Sequence, residues 1–248
     1  MTKLLIGTSG YSYSHWGEGV FYPKNIPQRR WLEYYCSEFD TVELNVTFYR
    51  LVKKAVFEGW HQRTPEGFVF AIKGSRYITH VKQLHDCEDA ILRFSENAEG
   101  LEEKLDVILW QFPPRFVCHK ERLGAFAELL TRSSLMRRTR HAFEFRHESW
   151  FVPHVTRLLD RYGFALCISD YPHLPSTKTP MSDFAYLRFH GSQSLYGPKY
   201  TEEELVHWAQ KLQGWRRRDK SVYVYFNNDI SGYAVEDARR LREILMAL

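Results

Sequence analysis

The sequence predicts a single (β/α)8 barrel, a TIM barrel, as one domain over residues 1–248. Three observations predict it. Short apolar runs of strand length alternate with longer segments of helical periodicity, which implies parallel strands joined by crossovers. There are eight such runs, and eight strand–helix units in 248 residues suit the size of this barrel. Each run begins apolar and turns polar toward its C-terminal end, where barrels of this kind carry their active sites. An open doubly wound sheet is the alternative. It usually shows G-x-G-x-x-G after the first strand, and Gly7–Ser12 reads GTSGYS instead.

The predicted strands, in order, are Lys3–Gly10, Asp40–Thr47, Phe68–Gly74, Leu105–Phe112, His141–Arg146, Phe164–Asp170, Phe184–Gly191 and Ser221–Asn228. Helical patterns over Gln28–Phe39, Val52–Arg63, Cys87–Lys104 and Lys120–Thr131 precede strands two to five. Ser149–Gly163 follows strand five, with Ser149 the expected N-cap ahead of Pro153. Trp150 is expected to anchor that helix start. Thr201–Arg217 opens with Thr201 and Glu204 in capping-box spacing, and Tyr233–Leu248 closes the chain. Tyr171–Asp183, between strands six and seven, shows no helix pattern.

Side chains alternate across a strand, so Phe143 and Phe145 share one face and Glu144 and Arg146 the other. Glu43 and Asn45 are likewise opposed to Val42, Leu44 and Val46. The remaining strand ends supply Thr8 and Ser9, Lys73, Gln111, Asp170, Arg188 and His190, and Asn227 and Asn228. In a barrel these converge on one mouth.

Hydrophobic residues make up 44% of the chain, enough for a core, and aromatics 16%, which suits stacking of flat or ring-shaped ligands. The net charge of +4 permits an anionic partner without demanding one. The basic clusters Met136–His141 and Trp215–Lys220 precede strands five and eight, at the rim opposite the mouth, which weighs against a nucleic-acid partner. Cys36, Cys87, Cys118 and Cys167 form no C-x-x-C pair and read as reduced thiols of a cytoplasmic protein. The start lacks a signal-peptide pattern, and no apolar run approaches membrane-spanning length.

Several stretches together resemble the YecE-like family of bacterial proteins, also called domain-of-unknown-function family seventy-two. They are GTSGYSYSHW (Gly7–Trp16), FYP (Phe21–Pro23), FDTVELNVTFYR (Phe39–Arg50), TPEGFVFAIK (Thr64–Lys73), ITH (Ile78–His80), QFPPRF (Gln111–Phe116), FEFRHESWF (Phe143–Phe151), YLRFHG (Tyr186–Gly191) and YVYFNND (Tyr223–Asp229). The resemblance spans nearly the whole chain and implies a TIM barrel; it implies no reaction. Tyr11 stands where the pattern usually has Trp.

The functional expectation is an enzyme acting on a small anionic or polyhydroxylated metabolite, such as a sugar phosphate or nucleotide-like compound. Isomerisation, lyase action and hydrolysis all suit it. Glu144, Asp170, His190 and Glu43 are the expected acid–base groups. Arg146, Arg188 and Lys73 are the charge clamps. Asn45, Gln111, Asn227 and Asn228 are polar contacts, and Tyr11 and Tyr13 ring contacts from the first loop. Gly191 and Ser192, with Gly232, offer backbone N–H groups to a phosphate near the last helix. The plainer alternatives are salt bridges for the charged pairs and simple packing for the loop aromatics. No cofactor is expected. A divalent metal on Glu43, Glu144, Asp170 and His190 is the lesser alternative, since no H-x-x-E or H-x-H spacing supports it. Nucleic-acid processing and non-catalytic ligand sensing are the competing functions.

Overall fold

Every apolar run read as a strand is a strand in the computed structural model, which describes residues 2–170, 180–191 and 197–248. Among the described residues there are nine strands: β1 Leu4–Thr8, β2 Thr41–Leu44, β3 Val69–Lys73, β4 Leu105–Gln111, β5 Arg140–Glu144, β6 Ala165–Leu166, β7 Ile168–Ser169, β8 Phe184–Phe189 and β9 Ser221–Phe226. The ninth arises because the sixth expected strand changes partner at Cys167. Ala165 and Leu166 pair with β5, whereas Ile168 and Ser169 pair with β8. The strands run in two sheets, β1-β9-β8-β7 and β2-β3-β4-β5-β6. The expected single closed ring of eight is not seen as such; what stands is an α/β fold built on parallel strands.

The expected helices form within narrower bounds. Thr201 Oγ1 accepts from Glu204 N, and the Glu204 carboxylate accepts from Thr201 N, so the capping box is present. Two details differ from expectation. Helix Pro153–Arg161 starts after Val152, because proline is preorganised for the first helical position and has no N–H to satisfy. Ser149 instead accepts from Cys118 N at 2.8 Å. The basic run before β5 contains a short helix, Ser134–Arg138, capped by the Ser133 hydroxyl.

The chain divides into two compact units, Met1–Glu43 with Ile168–Leu248, and Leu44–Cys167. In the first, the registers align Gly7 with Tyr225, Tyr225 with Arg188, and Arg188 with Ser169. Strand alternation therefore puts Gly7, Ser9, Tyr186, Arg188, His190, Tyr225 and Asn227 on one face. Ile6, Leu187, Phe189, Val224 and Phe226 occupy the other and are all buried. Helix Tyr233–Met246 packs on β1 and β9, and helix Glu202–Arg216 on β9.

In the second unit, Lys73 aligns with Leu109, Leu109 with Ala142, and Gln111 with Glu144, so all five share a face. Trp110 and Phe143 align on the opposite face. The expected split of Phe143 and Phe145 from Glu144 and Arg146 holds: Phe145 stacks on Trp150 at 4.5 Å and lies 5.2 Å from Phe112. Trp150 is also the expected anchor, its Nε1 donating to Phe116 O at 2.6 Å.

Gly7 is where β1 meets the end of a neighbouring strand most tightly. A Cβ there would sit 2.3 Å from Thr41 O, a backbone atom that cannot swing away. Gly7→Ala is expected to lower the unfolding free energy by about 1–3 kcal/mol, the range for overpacking a filled interior. Denaturant titration reads this; an unchanged midpoint would contradict the packing.

Candidate functional site

In the first unit the polar face of the sheet closes around one ion pair. Arg188 donates to Glu43 Oε1 through Nη2 at 2.9 Å and Nε at 3.2 Å. Its Nη2 also reaches Ser9 Oγ at 3.0 Å, and the Ser9 hydroxyl donates to Glu43 Oε1. Tyr186 OH donates to Glu43 Oε2 at 2.6 Å. A parallel bridge between Ser9 and Glu43 brings the two backbones together. Glu43 is 0% and Arg188 1% exposed, so both have given up water for each other. Such burial is offset only when the hydrogen bonding is this complete. Burial, and then the adjacent Glu43 charge, raise the Tyr186 pKa well above its ordinary value, so the phenol stays a donor.

The expected proton mover Glu43 and the expected clamp Arg188 are thus bound to one another. His190 lies beyond Arg188, fully buried, with Nδ1 3.1 Å from Asn227 Nδ2. An amide nitrogen only donates, so Nδ1 accepts and the ring proton sits on Nε2.

Asp170 turns the other way. Ser169 aligns with Arg188, so the next residue falls on the helix-facing side. There Asp170 Oδ1 accepts from His190 N at 2.6 Å, and Oδ2 accepts from Tyr200 OH. The Tyr200 ring packs 5.4 Å from Phe189 and 5.7 Å from Phe226. Gly191 N donates to Tyr200 OH at 2.9 Å, so this expected phosphate donor is engaged internally. Ser192 lies outside the described residues. Gly232 N donates to Asp229 O at 3.1 Å. Asn228 is on this side too, donating to Asp237 Oδ2 at 2.8 Å, an atom that Tyr200 N also approaches at 3.2 Å. Burial pushes Asp170 and Asp237 each up to about 6, against the hydrogen bonds that pull them down.

The first loop is packed down. Trp16 and Tyr22 are fully buried, and Trp16 Nε1 donates to Asp229 O at 3.3 Å. Tyr22 OH donates to Tyr11 O, and Tyr13 OH to Ser9 O at 2.5 Å. Tyr11 and Tyr13 remain half-buried.

The second unit assembles a different centre. Lys73 Nζ lies 4.0 Å over the Phe48 ring, and the other side of that cluster is His80, 4.9 Å from Phe48. Thr47 Oγ1 holds Lys73 O at 2.7 Å. Arg146 Nε donates to Glu144 Oε1 at 2.8 Å; Glu144 is buried and Arg146 half-buried. Gln111 Nε2 donates to Phe112 O at 2.7 Å. Asn45 precedes the short helix Val46–Tyr49 without a side-chain cap. His80 sits in a π-helical turn, Tyr77–Val81, a form often found at functional sites. Its pKa is lowered to about 4, first by burial, then by Lys73, Arg76 and Arg146, with Glu144 opposing.

Tyr186, Tyr200, Asp237 and His80 belong to these centres without being expected site residues. Tyr186 could have been found two residues before Arg188, on the same face. Asp237 is a carboxylate on the buried stripe of Ala234, Ala238 and Leu241. Tyr200, in a connection, carries no such signal. Among the described residues, the ligand-type side chains close enough for a metal are His61, Glu102 and Glu103. That group includes none of the four expected metal ligands. None of the four cysteines forms a disulfide, and no helix among the described residues is long and apolar enough to cross a membrane.

The two raised carboxylates set a pH dependence. Their folded pKa values exceed the unfolded one, so their stabilising contribution is complete below about 3.8 and lost as pH rises through about 6. Asp237→Asn keeps the acceptor oxygen but not the titration. Its stability relative to wild type is expected to rise between pH 4 and 6, by about 2–3 kcal/mol, and then to level off. Denaturant midpoints across pH 4–7 check this; a pH-independent difference would contradict it.

The family model described as "Protein of unknown function DUF72" matches residues 5–247. The chain is 27% identical over 275 residues to UPF0759 protein YunF of Bacillus subtilis, covering 98% of this chain and 94% of that one. The crystal structure of a DUF72 family protein from Thermotoga maritima superposes with a TM-score of 0.86 at 30% identity, covering 98% and 99% of the two chains. A more distant structure, SacUVDE, shares the fold at a TM-score of 0.57 and 9% identity, covering 98% and 99%. With that match across almost its full length, the chain belongs to the DUF72 family.

Proposed function

We propose that this protein is an enzyme that transfers protons on a small anionic metabolite held by Lys73 and Arg146. The observation that carries this reading is the field around His80. Lys73, whose Nζ shares the Phe48 ring with it, Arg76 and Arg146 all lower its pKa, with Glu144 the opposing carboxylate. Lys73 and Arg146 are largely desolvated, which strengthens their pull on an incoming anion. Arginine offers a fork suited to carboxylate or phosphate, and lysine a compact charge beside it. Fixed by Arg146, Glu144 keeps the guanidinium oriented and supplies a second acid–base group.

The same geometry links binding to chemistry. With its pKa near 4, His80 is too weak a base at neutral pH. A bound phosphate or carboxylate would offset the surrounding cations and raise that pKa toward neutrality. The base would then become competent when substrate is present. Isomerisation, elimination and hydrolysis all use such a step. The reading also takes residues 1–248 as one (β/α)8 barrel, which the parallel registers support.

Titrating the His80 ring by NMR, with and without inorganic phosphate, tests the proposal. Phosphate is expected to raise the His80 pKa by about one unit or more. Lys73→Met and Arg146→Met are each expected to abolish that rise. A His80 titration indifferent to phosphate would sink the reading.

A further inference from the structure

A second pocket in the Leu44–Cys167 unit has the chemistry of a nucleotide site. We propose that it binds a nucleoside phosphate, stacking the base on Tyr49 or Tyr77 and holding the phosphate with Arg50, Arg76 and Arg93. This goes beyond the proposed proton-transfer centre and does not depend on Lys73 or Arg146.

The cavity has a volume of about 410 Å³, within the range of small-ligand sites. Tyr49 and Tyr77 line it, yet are 68% and 51% exposed. Large rings on a surface lose favourable burial unless something covers them, and a flat π-system covers them best. Leu51, also lining and 54% exposed, extends the apolar rim.

The charge pattern points to an anion. Arg50, Arg76 and Arg93 are exposed, and among the described residues none forms an ion pair, whereas Arg132, Arg140 and Arg240 all do. The acidic residues of the lining do not meet this need. Asp86 lies 2.9 Å from His85 Nδ1, and Asp89 has no ion pair among the described residues. Lys82 is already engaged, donating to Asp86 O at 2.8 Å. Three guanidinium groups around a pocket rimmed by two phenol rings match both halves of a nucleotide: a charge with several acceptor oxygens, and a base with a face to stack.

The backbone between the lining residues Lys82 and Asp86 is also unusual. Gln83, Leu84 and Asp86 have φ values of 46°, 64° and 46°, a region non-glycine residues seldom enter. They follow the π-helical turn that carries Tyr77. Strain of this kind persists where surrounding structure holds it, and often at ligand sites.

Calorimetric titration of the full chain with AMP, adenosine and inorganic phosphate tests the assignment. AMP is expected to bind about tenfold or more tighter than either half alone. Tyr77→Ala and Arg93→Gln should each weaken AMP binding about tenfold, the loss of one stack or one charged contact. Tyr77→Phe, which keeps the ring, should retain it. Lys73→Met should leave it unchanged, which separates failure here from failure of the proton-transfer reading. The proposal is overturned if AMP binds no tighter than phosphate, or if Tyr77→Ala and Arg93→Gln bind it as wild type does. A single-stranded oligonucleotide that binds far tighter than AMP, with steep salt dependence, would also overturn it in favour of a nucleic-acid groove.

Discussion

The pairing of Glu43 with Arg188 is the constraint on which the first unit rests. A carboxylate and a guanidinium removed from water are tolerated only when nearly every donor and acceptor is used. Ser9 and Tyr186 complete that set, one from the end of β1 and the other two residues before Arg188 on β8. The network therefore ties three strands by their side chains, beyond what the backbone ladders already do. It also holds Tyr186 protonated beside a carboxylate. A polar centre of this kind favours one register over others, because slipping a strand by one residue would bury Arg188 against Phe189's side of the sheet.

Around that pair, alternation along each strand sorts the remaining chemistry. Arg188, His190 and Asn227 stand on one face, whereas Asp170 and Asn228 stand on the other with Tyr200 and Asp237. The two faces differ in what burial does. On the first, a carboxylate meets a guanidinium. On the second, two carboxylates have no cation at contact distance among the described residues, and desolvation pushes both toward their neutral forms. In the Leu44–Cys167 unit the imbalance has the opposite sign, with cations outnumbering carboxylates and a histidine kept neutral.

Much of the fold was legible because burial on both faces leaves parallel strands as apolar runs, and because caps and proline mark helix starts. The capping box at Thr201 and the split of Phe143 and Phe145 from Glu144 and Arg146 could be read locally. The Glu43–Arg188 contact could not, since 145 positions separate its partners and nothing in either neighbourhood names the other. Asp170 was misplaced for a related reason. It is a polar residue at a strand end, but which face it takes depends on the pairing of Ser169 with Arg188, a tertiary fact. Tyr200 was invisible because a connection carries no periodicity. His80 was visible as a residue but not as a site, because Lys73 and Arg76 lie just before its own turn while Arg146 comes from a stretch 66 positions away.

The most direct measurement is a double-mutant cycle on the buried pair, using Glu43→Gln, Arg188→Met and the combination, read by denaturant unfolding. Each single change is expected to lower stability by about 3–5 kcal/mol, because it leaves a desolvated partner uncompensated. The combined change is expected to cost much less than the sum. Additive losses, or single losses below about 1 kcal/mol, would show that the unit does not depend on this interaction.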